Sequence, residues 1–176
     1  MHSGLTPQRP TSAMQKALYS PEERIRRDQS GWTLVQGILA PVQFVVFLIS
    51  LALVLRFLAT GQGEAAATVS VVVKTLTLYL IMITGCIWEK VVFGRYLFAP
   101  AFYWEDVFSM LVLALHTAYL VCLGMELMSS QGLMLLALAA YAAYVINAVQ
   151  FILKLRAARL DMARASGSSA GQGVAA

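Results

Sequence analysis

Four long apolar runs constrain this chain more than any other feature. They occupy residues 33–55, 68–87, 107–127 and 133–153. A helix needs about 20 predominantly apolar residues, each rising 1.5 Å, to cross the roughly 30 Å of hydrocarbon in a bilayer. Only 12% of the residues are charged, whereas soluble domains carry about 25%. The sequence therefore predicts an all-α integral membrane protein with four transmembrane helices, rather than a soluble helical bundle.

The basic residues indicate how these spans are oriented. Most of them precede the first span, follow the fourth, or lie between the second and the third: Arg9, Lys16, Arg24, Arg26, Arg27, Lys90, Arg95, Lys154, Arg156, Arg159 and Arg164. Because lysine and arginine concentrate in cytoplasmic segments, we expect both termini and the 88–106 connection on the cytoplasmic side. The net charge of +4 is then explained by the orientation of the spans in the membrane. The sequence predicts no basic surface of a soluble domain that could bind nucleic acid.

The ends of the chain differ from its centre in composition. Residues 1–18 and 161–176 are mostly small or polar, and we predict that both are disordered tails. A single four-helix membrane domain fills 19–160. Before the first span, SPEERIRRDQSG has a helix-start pattern, with Ser20 as the N-cap and Glu23 reaching back to it. This pattern predicts a short helix on the membrane surface, with its arginines near lipid phosphates.

Polar residues inside the spans are the candidate functional groups, because burying them in a bilayer is costly. In the third span Glu105, Ser109 and His116 lie nearly on one line, with Asp106 about 100° away and His116 roughly 15 Å deep. At a similar depth or nearer the cytoplasm, the other spans contribute Gln43, Tyr79, Tyr144, Asn147 and Gln150. We predict a polar layer above an acidic mouth formed by Glu89, Glu105 and Asp106. Simple helix–helix hydrogen bonding of these amides and tyrosines stays open as an alternative.

Several classes of enzyme are excluded by missing motifs. The spans contain one histidine, which is too few for bis-histidine haem ligation. The sequence has no Cys-x-x-Cys, His-Glu-x-x-His, Gly-rich phosphate loop or Gly-x-Ser-x-Gly motif. Acid–base chemistry by carboxylates and one histidine remains, acting on an apolar ligand that arrives from the membrane or its surface.

Four runs resemble the vinyl hydratase family of bacteriochlorophyll biosynthesis: WTLVQGILAPVQF (32–44), VVVKTLTLYLIMITG (71–85), IWEKVVFGRYLFAPAFYWEDVFSMLVLALHTAYL (87–120) and YVINAVQFILKLRAARL (144–160). The resemblance covers about residues 18–160. It implies a hydro-lyase that adds water to the 3-vinyl group of chlorophyllide a or 3-vinyl bacteriochlorophyllide a, giving a 1-hydroxyethyl group. It also implies that no cofactor is needed, since the magnesium belongs to the substrate. The implied location is the inner or intracytoplasmic membrane of a photosynthetic bacterium, with the active site toward the cytoplasm.

The chemistry of vinyl hydration suggests roles for the acidic residues. Protonation of the terminal vinyl carbon leaves a cation that the macrocycle delocalises and that water then captures. This path needs an acid and a base, and crowded carboxyl groups can divide these roles because one keeps its proton while another ionises. We predict that Glu105 or Glu89 is the acid and that Asp106 is the base. His116 is either a second candidate base or an axial ligand to the substrate magnesium.

Substrate binding is assigned to residues around this mouth. Lys90 or Arg95 is expected to bind the propionate of the tetrapyrrole. Tyr96 and Phe102 offer flat apolar surfaces, although aromatic residues at a membrane boundary also form an interfacial belt. The polar residues predicted to line the site are Gln43, Tyr144 and Asn147. Four helices hardly surround a chlorin, so a homodimer, a lipid-facing groove or other pathway enzymes are considered as ways to complete the site.

Two other functions stay open at this stage. One is a tetrapyrrole-binding or assembly protein of the same pathway, with His116 as a ligand and without turnover. The other is a small transporter or channel subunit, in which Lys74 and the acidic mouth would form a path. The absence of internal repeats in the sequence argues against the transporter.

Overall fold

The computed structural model describes the backbone of residues 18–172, with side chains through residue 160 and that of Ala163. Over this range the chain forms five helices and no strand: α1 (Pro21–Gln29), α2 (Gly31–Thr60), α3 (Glu64–Phe93), α4 (Tyr103–Gly124) and α5 (Ser130–Gln172). The last four helices are long and apolar enough to cross a membrane. The prediction of four transmembrane helices is therefore confirmed.

The helix α1 begins as the sequence predicts. The Glu23 N–H donates to Ser20 Oγ at 3.2 Å, and the Ser20 N–H donates to the Glu23 carboxylate at 2.7 Å. This reciprocal capping satisfies backbone donors that the first helical turn otherwise leaves free. Tyr19, just before the cap, is buried against Phe93 and Phe102. These contacts fix α1 beside the end of α3 and the start of α4.

The spanning helices associate as two hairpins. α2 packs along α3 and α4 packs along α5, and the hairpins meet where α2 and α3 contact α5 and where α3 contacts α4. Gly61 and Gly63 have φ values of 70° and 83°, which lets the chain turn tightly between α2 and α3. At the same end of the bundle, Ser130 Oγ donates to the Glu64 carboxylate and so joins the two hairpins.

The exterior of the bundle is apolar, as a lipid-facing surface should be. Leu34, Ile83 and Ile152 are exposed by 68%, 62% and 64% respectively. In water such a surface would be an aggregation site, whereas in a bilayer it needs no polar cover. The interior holds both an apolar cluster around Val54 and Met134 and a set of buried polar side chains.

The predicted tails are only partly covered by the described residues. Residues 1–17 and 173–176 lie outside them, so the N-terminal prediction stays a prediction. At the other end α5 is helical to Gln172, which differs from the disordered tail predicted from residue 161. The alanine and arginine residues after 155 explain the difference, because both are strong helix formers.

Candidate active site

Two carboxyl groups meet where α3 ends and α4 begins. Glu89 and Asp106 are 6% and 3% exposed, and their carboxyl groups are close enough to interact electrostatically. Two ionised carboxylates held close together in a buried site repel each other, which favours a proton on one of them. Such a pair is suited to divide the roles of acid and base.

The short connection between α3 and α4 supplies backbone donors to this pair. The Phe98 N–H donates to Asp106 Oδ2 at 2.7 Å, and the Ala99 N–H donates to Glu89 Oε2 at 3.4 Å. Phe98 has a φ of 57°, in the left-handed region that costs a non-glycine residue about 1–2 kcal/mol. This strained conformation directs the Phe98 N–H at Asp106.

The two carboxyl groups differ in their electrostatic surroundings. Asp106 lies in the first turn of α4, where the helix dipole favours a negative charge. Glu89 lies near the carboxyl end of α3, where the dipole disfavours one. Asp106 also receives the shorter backbone hydrogen bond. All three observations favour the negative charge on Asp106 and the proton on Glu89.

The third predicted acidic residue points elsewhere. Glu105 Oε2 lies 2.7 Å from Lys154 Nζ, forming an ion pair between α4 and α5. Glu105 and Asp106 are neighbours in sequence, so their side chains leave α4 about 100° apart. The predicted mouth of three acidic residues is thus divided, because Glu105 pairs with Lys154 while Asp106 accepts a hydrogen bond from the Phe98 N–H, next to the Ala99 N–H that donates to Glu89.

Aromatic residues around the mouth fall into two groups. Phe102 is 2% exposed and packs against Trp88, Phe93 and Phe151. Phe102 was predicted to offer a surface to substrate, but it forms the packed base of the mouth. A second group is 39–66% exposed beside the carboxylates: Tyr96, Phe98, Tyr103 and Trp104.

The two predicted propionate ligands also differ. Lys90 Nζ donates to the Gly94 carbonyl at 2.9 Å and lies 5.2 Å from the centre of the Tyr96 ring. Arg95 is exposed and makes no ion pair within the described residues. Arg95 is therefore the cation that is free to bind an anion.

A second polar group lies deeper in the bundle. His116 is fully buried; its Nδ1 bonds the Val112 carbonyl at 2.8 Å, and its ring lies 5.8 Å from that of Tyr141. Lys74, also fully buried, places Nζ 3.8 Å from the centre of the Tyr144 ring. Ten residues separate His116 from Asp106, or roughly 15 Å along α4. The deep group is thus distinct from the carboxylate pair.

The other residues predicted in the polar layer lie at different places in the bundle. The Asn147 amide donates to Ser109 Oγ at 2.8 Å, between α5 and α4. Gln43 is buried, with 2% exposure, on α2. Tyr79 was predicted in the layer, but it bonds Thr117 at 2.8 Å on an exposed face. No three His, Cys, Asp or Glu side chains gather in a metal-binding arrangement in the part of the chain that the structure describes.

Comparison with known proteins gives a consistent result over most of the chain. The model of the family described as 2-vinyl bacteriochlorophyllide hydratase (BCHF) matches residues 19–157. A protein of Cereibacter sphaeroides named 2-vinyl bacteriochlorophyllide hydratase is 65% identical over 156 residues, covering 87% of this chain and 96% of that protein. A Rhodobacter capsulatus protein of the same name is 62% identical over 157 residues, covering 89% and 91%. No solved structure matches the chain.

Proposed function

The chain belongs to the 2-vinyl bacteriochlorophyllide hydratase family, and on that premise we propose that Glu89 and Asp106 are its acid–base pair. The protein is an enzyme, a hydratase of bacteriochlorophyll biosynthesis. The single observation that carries our proposal is the burial of these two carboxyl groups beside one loop, where the consecutive N–H groups of Phe98 and Ala99 donate one to each. The 2-vinyl of the family name and the 3-vinyl used above are one ring-A substituent under two numbering conventions.

The pair can carry out the complete addition. Glu89 gives its proton to the terminal vinyl carbon, which forms the new C–H bond and leaves a cation on the inner carbon. The negative charge of Asp106 stabilises this cation, and the macrocycle delocalises it. A water oxygen then bonds to the inner carbon while Asp106 takes the released proton. That proton returns to Glu89 by transfer between the neighbouring carboxyl groups, so each turnover consumes one water and no net proton.

The substrate is proposed to dock at the exposed aromatic group. Tyr96, Phe98 and Tyr103 present flat apolar surface next to the carboxylates, which suits a large ring arriving from the membrane interface. Arg95 is placed to bind the propionate of chlorophyllide a or of 3-vinyl bacteriochlorophyllide a. The basic residues favour a cytoplasmic position for this mouth, in the inner or intracytoplasmic membrane.

Neither a cofactor nor His116 is part of the proposed addition. The acid and the base suffice for hydration, and magnesium enters only with the substrate. His116 is fully buried and roughly 15 Å along α4 from Asp106, which is too far for it to take a proton from the same water. Ligation of the substrate magnesium by His116 would require the helices to part, and it stays a separate prediction.

The decisive experiment uses purified full-length protein in detergent with chlorophyllide a and no added cofactor. We expect a product heavier by one water, which mass spectrometry and the loss of the vinyl group will identify. Binding of pigment without any mass change would instead support a tetrapyrrole-binding or assembly protein, and would contradict the proposed role.

A further inference from the structure

Seven buried side-chain polar atoms have no hydrogen-bond partner among the described residues, and four of them lie on four different spanning helices. These four are Gln43 Oε1 on α2, Lys74 Nζ on α3, His116 Nε2 on α4 and Asn147 Oδ1 on α5. Gln43, Lys74 and His116 are 2%, 0% and 0% exposed. Leaving such an atom unpaired in a buried site costs about 1–3 kcal/mol, so four together call for a ligand.

The residues that carry these atoms lie near Tyr144 or near neighbours of Tyr144. Lys74 Nζ lies over its ring, and Asn147 is one turn further along α5. Phe47, whose ring centre is 5.0 Å from that of Tyr144, is one turn from Gln43 along α2. His116 packs on Tyr141, one turn before Tyr144. The four residues therefore lie along about two helical turns of the bundle interior, since Asn147 is beside Ser109 and His116 is seven residues, or roughly 10 Å, further along α4.

The hydrogen-bonding character of the atoms selects their ligand. The amide oxygens of Gln43 and Asn147 are acceptors, and His116 Nε2 is an acceptor because Nδ1 donates to the Val112 carbonyl. Only Lys74 Nζ is a donor. A magnesium tetrapyrrole has no N–H left to donate, because its ring nitrogens bind the metal. Water both donates and accepts, and a buried water typically makes about three hydrogen bonds.

We propose that Gln43, Lys74, His116 and Asn147 form an internal water site that supplies the water added to the vinyl group. This inference rests on the proposed function, because a flat substrate docked at the mouth separates Glu89 and Asp106 from the cytoplasm. Asn147 bonds Ser109, which lies one helical turn from Asp106. Water passing along Ser109 reaches the carboxylate pair from the interior, on the side opposite the docked ring.

The experiment that tests the water site is X-ray hydroxyl-radical footprinting of the full-length wild-type protein in lipid nanodiscs. Radicals form from water itself and label side chains next to internal water. The reporter is Tyr141, which is 2% exposed, and the control is Met134, which is 0% exposed on the same helix. Methionine is readily oxidised, so faster labelling of Tyr141 than of Met134 indicates water beside Tyr141. Equal protection of both residues would overturn the proposal.

A matched pair of variants tests the supply of water. Asn147→Leu removes a member of the site at similar volume, and Ile146→Leu changes its neighbour, which is 51% exposed on the outer surface. We expect Asn147→Leu to slow Tyr141 labelling and to lower kcat with little change in KM, and Ile146→Leu to do neither. Wild-type kcat in Asn147→Leu would overturn the supply role. Labelled Tyr141 in a wild-type protein without hydratase activity would refute the proposed function and leave the water site supported.

Discussion

The Phe98 N–H lies 2.7 Å from Asp106 Oδ2, and Phe98 makes this bond from a left-handed backbone conformation with φ of 57°. The loop between α3 and α4 therefore does more than connect two helices. It holds the anionic member of the carboxyl pair in place, at the helix end where the dipole also favours negative charge.

Replacing Glu89 with glutamine tests the proposed acid. The amide can still donate a hydrogen bond to Asp106, so we expect the fold to persist. It cannot protonate carbon, and we expect kcat to fall by about 10²–10⁴, the usual contribution of a general acid. Product formation by mass spectrometry measures the effect, and Glu22→Gln, on the exposed face of α1, is the control. Activity close to wild type in Glu89→Gln would remove Glu89 from the mechanism.

Replacing Asp106 with asparagine tests the base. The amide oxygen can still accept from the Phe98 N–H, but it cannot take a proton from water. We expect kcat to fall by about 10²–10⁴, with pigment affinity within a few-fold of wild type. Absorbance titration with chlorophyllide separates binding from turnover, and Asp28→Asn, at an exposed position, serves as the control. A selective loss of binding, with kcat retained at saturation, would assign Asp106 to substrate positioning instead.

Glu105→Gln tests whether the Glu105–Lys154 ion pair joins α4 to α5. Hydrogen bonds to charged groups contribute about 1.5–3 kcal/mol, and we expect the variant to lose stability in this range. Unfolding in mixed micelles measures the loss. If Lys154→Met costs a comparable amount and the double variant adds little more, the two residues act as a pair. Additive losses would show that they act independently.

Arg95→Gln tests recognition of the propionate. We expect KM to rise by roughly 10- to 100-fold for the free-acid substrate, since a charge-assisted hydrogen bond of this kind is worth about 1.5–3 kcal/mol and each 1.4 kcal/mol is about tenfold. The methyl ester of the same substrate carries no charge, so its KM should be the same in the variant and the wild type. An equal rise in KM for acid and ester would rule out a charge interaction at Arg95.

Ser50→Ala tests the hydrogen bonds of the outer half of the bundle. Ser50 Oγ lies 2.6 Å from the Tyr141 hydroxyl and 2.7 Å from Ser70 Oγ, so it links α2 with α5 and α3. Interhelical hydrogen bonds in membranes contribute about 0.6–2 kcal/mol, and we expect a destabilisation of that size. The measurement is unfolding in mixed micelles, with Ala52→Ser on the exposed side of α2 as a control. No change on Ser50→Ala would show that these bonds contribute nothing net.

The spans and one face of α4 were predictable from the sequence because each depends on short-range regularity. Apolar length alone predicts the four membrane helices. The line formed by Glu105, Ser109 and His116 follows from the helical repeat, and all three residues contact α5, through Lys154, Asn147 and Tyr141 respectively. Periodicity along one helix therefore predicted a shared face correctly.

Partners on other helices were not predictable in the same way. Nothing local indicates that Glu105 pairs with Lys154 while Asp106 pairs with Glu89, because this depends on the rotation of α4 between α3 and α5. The left-handed backbone conformation of Phe98 was not predictable either, because a glycine usually marks such a position in a sequence and Phe98 is not one. Lys74 was considered from the sequence only as part of a transport path, and its position over the Tyr144 ring was not predicted.

The association of the spans as two hairpins has a consequence for biosynthesis. α3 leaves the ribosome before α4, so Glu89 enters the membrane without Asp106. Asp106 reaches Glu89 only when α4 packs beside the end of α3. Assembly of the two hairpins therefore also brings together the carboxyl groups proposed as the acid–base pair, and a half-assembled chain lacks that pair.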